Sequence, residues 1–235
     1  ITGDLSGHQL NFYPQGEHDF YALEGIHALA ETGLKTIDIN VAGLDNQVNH
    51  IKQGILLQEG SFIQEAVNGV DPSTIDPSVT KQEEDLLNNI ANTSATKMWS
   101  VPFRYPVDEP CLGSTFGNRR TYNDGTYNYY HTGVDFSVCA ADNLNIYAPA
   151  PGTVIFTGLL PTKGNYTIID HGWGVYSCYA HQSQFKVQAG DHVDTGQIIG
   201  VIGNTGRTLG PHLHWEIWVN HIPVDPLAWV EKTIP

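Results

Sequence analysis

Two short stretches of this 235-residue chain bring together side chains able to hold a metal ion. The first is Tyr130-His131-Thr132-Gly133-Val134-Asp135-Phe136-Ser137-Val138. Side chains alternate along an extended strand, so Val134, Phe136 and Val138 share the core side while His131, Gly133 and Asp135 share the other. An imidazole and a carboxylate on one face, with only a glycine between them, leave room for a metal ion, and both are suitable zinc ligands. The second stretch, Gly210-Pro211-His212-Leu213-His214-Trp215-Glu216, repeats the pattern. His212 and His214 share one face, and Leu213, Trp215 and Ile217 take the other. One of these two histidines completes a three-ligand set with His131 and Asp135, and alternation does not decide which. Three protein ligands leave the fourth position of a zinc ion open, as catalysis requires. A third stretch, Ser177-Cys178-Tyr179-Ala180-His181, reads as a strand that ends in a further histidine. No H-E-x-x-H arrangement offers a helix-borne glutamate as base, and a histidine of near-neutral pKa can take that role.

The set H-T-G-V-D-F, Y-A-H and G-P-H-L-H-W-E, in that order, resembles the lysostaphin-type (LytM-like) zinc endopeptidases. Further matches are Ser114-Thr115-Phe116-Gly117-Asn118-Arg119, Tyr147 to Gly152, Asp170-His171-Gly172 and Val193 to Gly200. The resemblance covers roughly residues 112–230. It implies His131, Asp135 and His214 as ligands of one zinc ion per chain, and His181 and His212 as catalytic histidines that do not bind it. The choice of His214 over His212 as ligand rests on this resemblance. It also implies hydrolysis of peptide bonds in peptidoglycan stems or cross-bridges, with the zinc in a groove of an antiparallel β core. Asn143 to Ile146, Gln182 and Thr208-Leu209-Gly210 depart from the family's usual residues. They bear on subsite shape and leave the five site residues intact. His212 is expected to act as base toward the attacking water, with His181 orienting that water or stabilising the oxyanion; these roles are exchangeable.

Such a site must be positioned by strands. From Val101 onward, glycines recur between short β-branched runs, at Asn145–Ile155, Tyr166–Asp170, Gly174–Ala180, Gln197–Ile202 and His212–Val219, which implies an antiparallel sheet or sandwich. Residues 101–235 are therefore read as the peptidase domain. Residues 1–70 read as a small β-rich module, in which Ile37, Ile39 and Val41 alternate with polar residues. Residues 71–100 read as a helical connector: Asp76 is an N-cap, Pro77 suits the first helical position, and Leu86, Leu87 and Ile90 form one face of a helix over 77–92. The fold class is thus mainly β. No catalytic constellation is expected before residue 100. Glu216 is either a partner that fixes an imidazole tautomer or polar surface. Asn118 and Arg119 are candidates to line the groove, and the Thr121–Tyr130 segment is either a wall of it or a turn packed by its own tyrosines. His171 reads as structural, and the remaining histidines as solvated surface.

A net charge of −14 disfavours nucleic acid and anionic membranes as partners. No apolar run is long enough to span a membrane. Cys111, Cys139 and Cys178 are too few and too scattered for a thiolate zinc site. One unspecified pair can bridge, but at least two of them read as small buried hydrophobes. The expected setting is extracytoplasmic, with the address signal outside this sequence. The expected substrate is a peptidoglycan peptide or a glycine-rich peptide. Two alternatives are a non-cleaving module that docks on cell-wall hydrolases and a protease acting on glycine-rich proteins. The first would be expected to lack metal ligands.

Overall fold

A computed structural model describes residues 1–43, 47–90, 94–123, 125, 127–139 and 142–234. The first part of the chain holds β1 (Thr2–Leu5), β2 (His8–Gln9), β3 (Phe12–Gln15), β4 (Asp19–Ala22), β5 (Gly33–Ala42), β6 (Val48–Leu57) and β7 (Gln64–Val67). A helix, α1 (Pro77–Ile90), follows. The remainder comprises β8 (Leu112–Ser114), β9 (Arg119–Tyr122), β10 (Tyr127–Tyr130), β11 (Val134–Ser137), β12 (Asn145–Tyr147), β13 (Gly152–Leu160) and β14 (Gly164–Gly172). It ends with β15 (Val175–Phe185), β16 (His192–Val193), β17 (Ile198–Ile202), β18 (His212–Val219), β19 (Ile222–Val224) and the short helix α2 (Leu227–Glu231).

The largest sheet runs β16-β13-β14-β15-β18-β11-β8, with β17 on β15, β12 on β17 and β19 on β18. Its ladders are antiparallel throughout. Alternation in β18 sends Leu213, Trp215 and Ile217 into the main core at zero exposure. Val134 and Phe136 of β11 join them, and burying each such side chain contributes about 1.5–3 kcal/mol. The sheet's other face holds a smaller apolar cluster that includes Tyr166, Ile168, Cys178 and Trp218, and it is there that Leu87 of α1 docks.

Asp76 caps α1 through its Oδ1, which accepts from the Ser78 amide at 2.8 Å and hydroxyl at 2.7 Å. The buried stripe is Thr80, Glu83 and Leu87, whereas Leu86 is exposed. The expected apolar face is thus corrected: the helix turns a polar pair and one leucine inward. Residues 91–93, which include the expected helix end and the start of the linker, lie outside the described residues. Another correction concerns the cysteines. Cys111 and Cys139 form a disulfide, which leaves Cys178 as the one buried thiol.

The early strands do not stand apart from the later ones. β7 lies parallel to β9, with Glu65 opposite Arg120. Among the described residues, no helix is long and apolar enough to cross a membrane.

Candidate metal centre

β11 and β18 lie antiparallel, with Asp135 directly opposite His214. This register places the two stretches singled out by sequence side by side. His131 precedes β11 in non-regular backbone rather than in a continuous strand, held by bonds from its amide to the Asn118 carbonyl and from the Gly117 amide to its own carbonyl, both 2.8 Å. Gly133 serves β18 as well as the site. A Cβ there would overlap the Trp215 carbonyl, so its small size permits the close approach of β18.

Three atoms converge. His131 Nε2 lies 3.0 Å from Asp135 Oδ1, His214 Nδ1 lies 2.9 Å from the same oxygen, and the two nitrogens are 2.9 Å apart. The tautomers follow from the other ring atoms. His131 Nδ1 donates to the Thr115 carbonyl at 2.9 Å, and a carbonyl can only accept. His214 Nε2 donates to Glu216 Oε1 at 2.8 Å. Two imidazole lone pairs and a carboxylate oxygen therefore face one another with no proton between them. That arrangement is unfavourable without a cation and fits one well. Tetrahedral zinc with bonds of about 2.0–2.1 Å holds its ligand atoms about 3.3 Å apart, so the three need spread by only a few tenths of an ångström. Among the described residues, His131, Asp135 and His214 are the one such metal-holding group.

Charge is consistent with this. Burial alone would raise the Asp135 carboxyl, but His131 and His214 beside it hold it well below the usual carboxylate range. Burial holds His131 below the ordinary histidine value, against the pull of Asp135. An ionised carboxylate and neutral imidazoles are the ligand forms a divalent cation takes.

His181 and His212 stand beside this group, their rings 4.7 Å apart between centroids. His212 Nδ1 donates to the Gly210 carbonyl at 2.8 Å, and its Nε2 faces Asp135 Oδ1 at 3.7 Å. His181 Nδ1 donates to the Thr205 carbonyl at 2.7 Å. Its pKa is held well below the ordinary value by burial and by the neighbouring His212 and His214. Contrary to the sequence reading, the strand does not end here. β15 pairs with β18 up to Ala180 and with β17 from Gln182. At the change of partner His181 takes a left-handed φ of 61°, and its amide donates to the Lys163 carbonyl at 2.8 Å. The centre opens on a small cavity whose lining includes Tyr122, Tyr129 and Tyr130, so the tyrosine-rich hairpin is a wall of it.

Glu216 is fully buried, which excludes the surface reading. Besides His214 it accepts from Lys163 Nζ at 2.6 Å, Tyr166 OH at 2.7 Å, Trp218 Nε1 at 3.1 Å and the Thr132 hydroxyl. Burial would raise its pKa, but Lys163 and His214 keep it ionised. His171 is buried on Pro151 O and Ser177 Oγ, away from the centre, as a structural residue.

Sequence reasoning missed four supports. Arg120, rather than Arg119, enters the site: its Nη2 donates to Asp135 Oδ2 at 2.8 Å and its Nε to Glu65 Oε2 at 3.0 Å, while Arg119 is exposed. Glu65 comes from the segment expected to carry no site residue. Glu83 of α1 accepts from the Thr162 and Lys163 amides at 3.2 and 3.1 Å, which fixes the turn that carries Lys163. Alternation within β9 indicates that Arg119 and Arg120 point oppositely, but nothing local says which faces the site. Glu65, Glu83 and Lys163 have no local signal.

Residues 129–226 match Peptidase family M23. The peptidoglycan DD-endopeptidase ShyA of Vibrio cholerae serotype O1 is 38% identical over 125 residues, which is 53% of this chain and 29% of that protein. This chain therefore spans well under two thirds of that relative's length. A crystal structure of a Pseudomonas aeruginosa protein assigned to peptidase M23 superposes with a TM-score of 0.70 at 23% identity, covering 99% of this chain and 88% of that one. A zinc-containing peptidase from Vibrio cholerae superposes with a TM-score of 0.51 at 18% identity, covering 97% and 86%. At these identities the likeness is one of fold.

Proposed function

We propose, from the premise that residues 129–226 are a peptidase family M23 domain, that the chain is a zinc-dependent endopeptidase that hydrolyses peptide bonds in peptidoglycan. The observation that carries this reading is the convergence of His131 Nε2, Asp135 Oδ1 and His214 Nδ1 to within 3.0 Å of one another. A zinc ion held by these atoms supplies the acidity that makes water nucleophilic near neutral pH and the pull that polarises a carbonyl. The similarity to a peptidoglycan DD-endopeptidase supports the substrate class.

The histidine environments favour distinct roles. With Nδ1–H committed to a backbone carbonyl, each of His181 and His212 offers a lone pair at Nε2. His212, with its side chain 20% exposed, places Nε2 beside solvent and 3.7 Å from Asp135 Oδ1. It is assigned as the base that takes the water's proton and returns it to the leaving amine. His181 is buried and held neutral, so it accepts a hydrogen bond and orients the water. As a neutral acceptor it has no proton to offer an oxyanion. An extracytoplasmic setting belongs to the same reading, supported by the Cys111–Cys139 disulfide, since such bonds persist in oxidising compartments.

The test pairs metal content by mass spectrometry with release of amines from purified peptidoglycan, for wild type and His131→Ala. About one zinc per wild-type chain, lost in the variant together with amine release, is the expected result. No zinc under metal-replete conditions would overturn the reading.

A further inference from the structure

The third ligand in a zinc site of this kind is a carboxylate, and a carboxylate can bind through one oxygen or two. Here the second oxygen is already engaged. Arg120 Nη2 donates to Asp135 Oδ2 at 2.8 Å, while Oδ1 faces the two ligand nitrogens. Arg120 is held in turn by Glu65, through Nε on Oε2 at 3.0 Å. The Ser114 hydroxyl closes the ring: it accepts from Arg120 Nη2 at 3.0 Å and gives its one proton to Glu65, with Oε1 at 2.8 Å. Glu65 reaches a second ligand as well. Its Oε1 accepts from Asn118 Nδ2 at 2.7 Å, and the Asn118 carbonyl receives the His131 amide. A single carboxylate on β7 therefore supports two of the three candidate ligands.

We infer that Arg120 is a positioning residue that restricts Asp135 to one-oxygen coordination, and that Glu65 of β7 is the anchor through which the early segment of the chain completes the metal centre. The inference rests on the metal reading above. A guanidinium suits the task because its planar fork meets two carboxylates at once, which a lysine ammonium cannot do in the same geometry. With Arg120 absent, Asp135 is free to rotate and offer both oxygens. A bound zinc would then gain a fifth ligand atom, which would crowd the position that a catalytic site keeps for water. Glu65 touches neither ligand directly, so its removal acts only through Arg120 and Asn118.

The test is cobalt(II) substitution of the full chain, read by visible absorption, together with zinc affinity from competition with a chromogenic chelator. Wild type is expected to give the intense bands of a four-coordinate site. Arg120→Met should weaken those bands as coordination expands, and lower zinc affinity by about 10–100-fold, the usual effect of removing a support of a ligand. Glu65→Gln, which keeps length and hydrogen-bonding capacity, should shift both readouts in the same direction by less. Because Glu65 acts on Asp135 through Arg120, the spectral effects of Glu65→Gln and Arg120→Met should be non-additive in the double variant. Thermal melting of each chelated variant separates a folding defect from a coordination defect. Cobalt uptake with a spectrum indifferent to Arg120→Met, or fully additive spectral effects, would overturn this inference alone. A wild-type chain that takes up neither cobalt nor zinc would overturn the metal reading and this inference with it.

Discussion

Replacing Glu216 with glutamine changes almost no volume and removes one buried charge. The carboxylate serves two groups of donors: His214, Lys163 and Thr132 at Oε1, and Tyr166 and Trp218 at Oε2. Glutamine has one oxygen to offer. Keeping His214 served turns the new amide NH2 toward Tyr166 and Trp218. The Tyr166 hydroxyl can rotate and accept, but the Trp218 indole N–H cannot. A buried donor left without an acceptor costs about 1–3 kcal/mol. Lys163 keeps that oxygen as acceptor but loses its counter-charge; at 20% exposure its ammonium can turn to water, so this adds only about 1 kcal/mol. The expected loss is about 2–4 kcal/mol, read by denaturant unfolding of chelated protein. Zinc affinity should also fall by about 10–100-fold, because the tautomer and orientation of His214 lose their ionised acceptor. Unchanged zinc affinity would refute the assignment of Glu216 as the group that orients His214, whatever happened to stability.

His181→Ala and His212→Ala should each retain about one zinc per chain while turnover drops by roughly 10²–10⁴-fold; metal loss in both would contradict the division of roles. Burial pushes His171 down to about 4, so the unfolded chain takes a proton that the folded chain refuses between pH 6.5 and 4. Stability is therefore complete above pH 6.5 and falls by up to about 3 kcal/mol as the pH drops to 4. A His171→Gln variant in chelator should show an acid-induced loss smaller by that amount, measured by urea unfolding at several pH values. Removing the disulfide with Cys111→Ser and Cys139→Ser should lower stability by about 3–4 kcal/mol, from the loop entropy for a separation of 28 residues, again by denaturant unfolding.

The parts of the site that sequence displayed are those governed by a period of two. His212 and His214 against Leu213 and Trp215 is a local pattern, and β18 buries it as the alternation requires. The Asp76 cap of α1 is local as well. Glu65 and Arg120 meet only because β7 and β9 pair in parallel across 55 residues, and no local pattern encodes that register. Glu83 was hidden for another reason. A helix stripe is sought among apolar residues, yet α1 turns a carboxylate inward to meet two backbone amides at the β13–β14 turn. The strand through His181 reads as ending there because its left-handed residue is a histidine rather than the glycine that usually signals such a kink.

That histidine also bears on how a chain of this kind would change over generations. A non-glycine residue in the left-handed region costs about 1–2 kcal/mol relative to one that favours it. His181 is retained there while buried and uncharged, where glycine or asparagine would suit the backbone better. On the catalytic role proposed for His181, the demand of cleavage works against folding at this position. Both His181→Gly and His181→Ala lose the buried imidazole and its bond to the Thr205 carbonyl, so turnover should fall alike, while His181→Gly should be the more stable of the two by about 1–2 kcal/mol in metal-free protein. In a descendant relieved of its chemistry, glycine would therefore be the least costly small residue at position 181. The kink thus narrows which residues could follow histidine at that position once the reaction is given up.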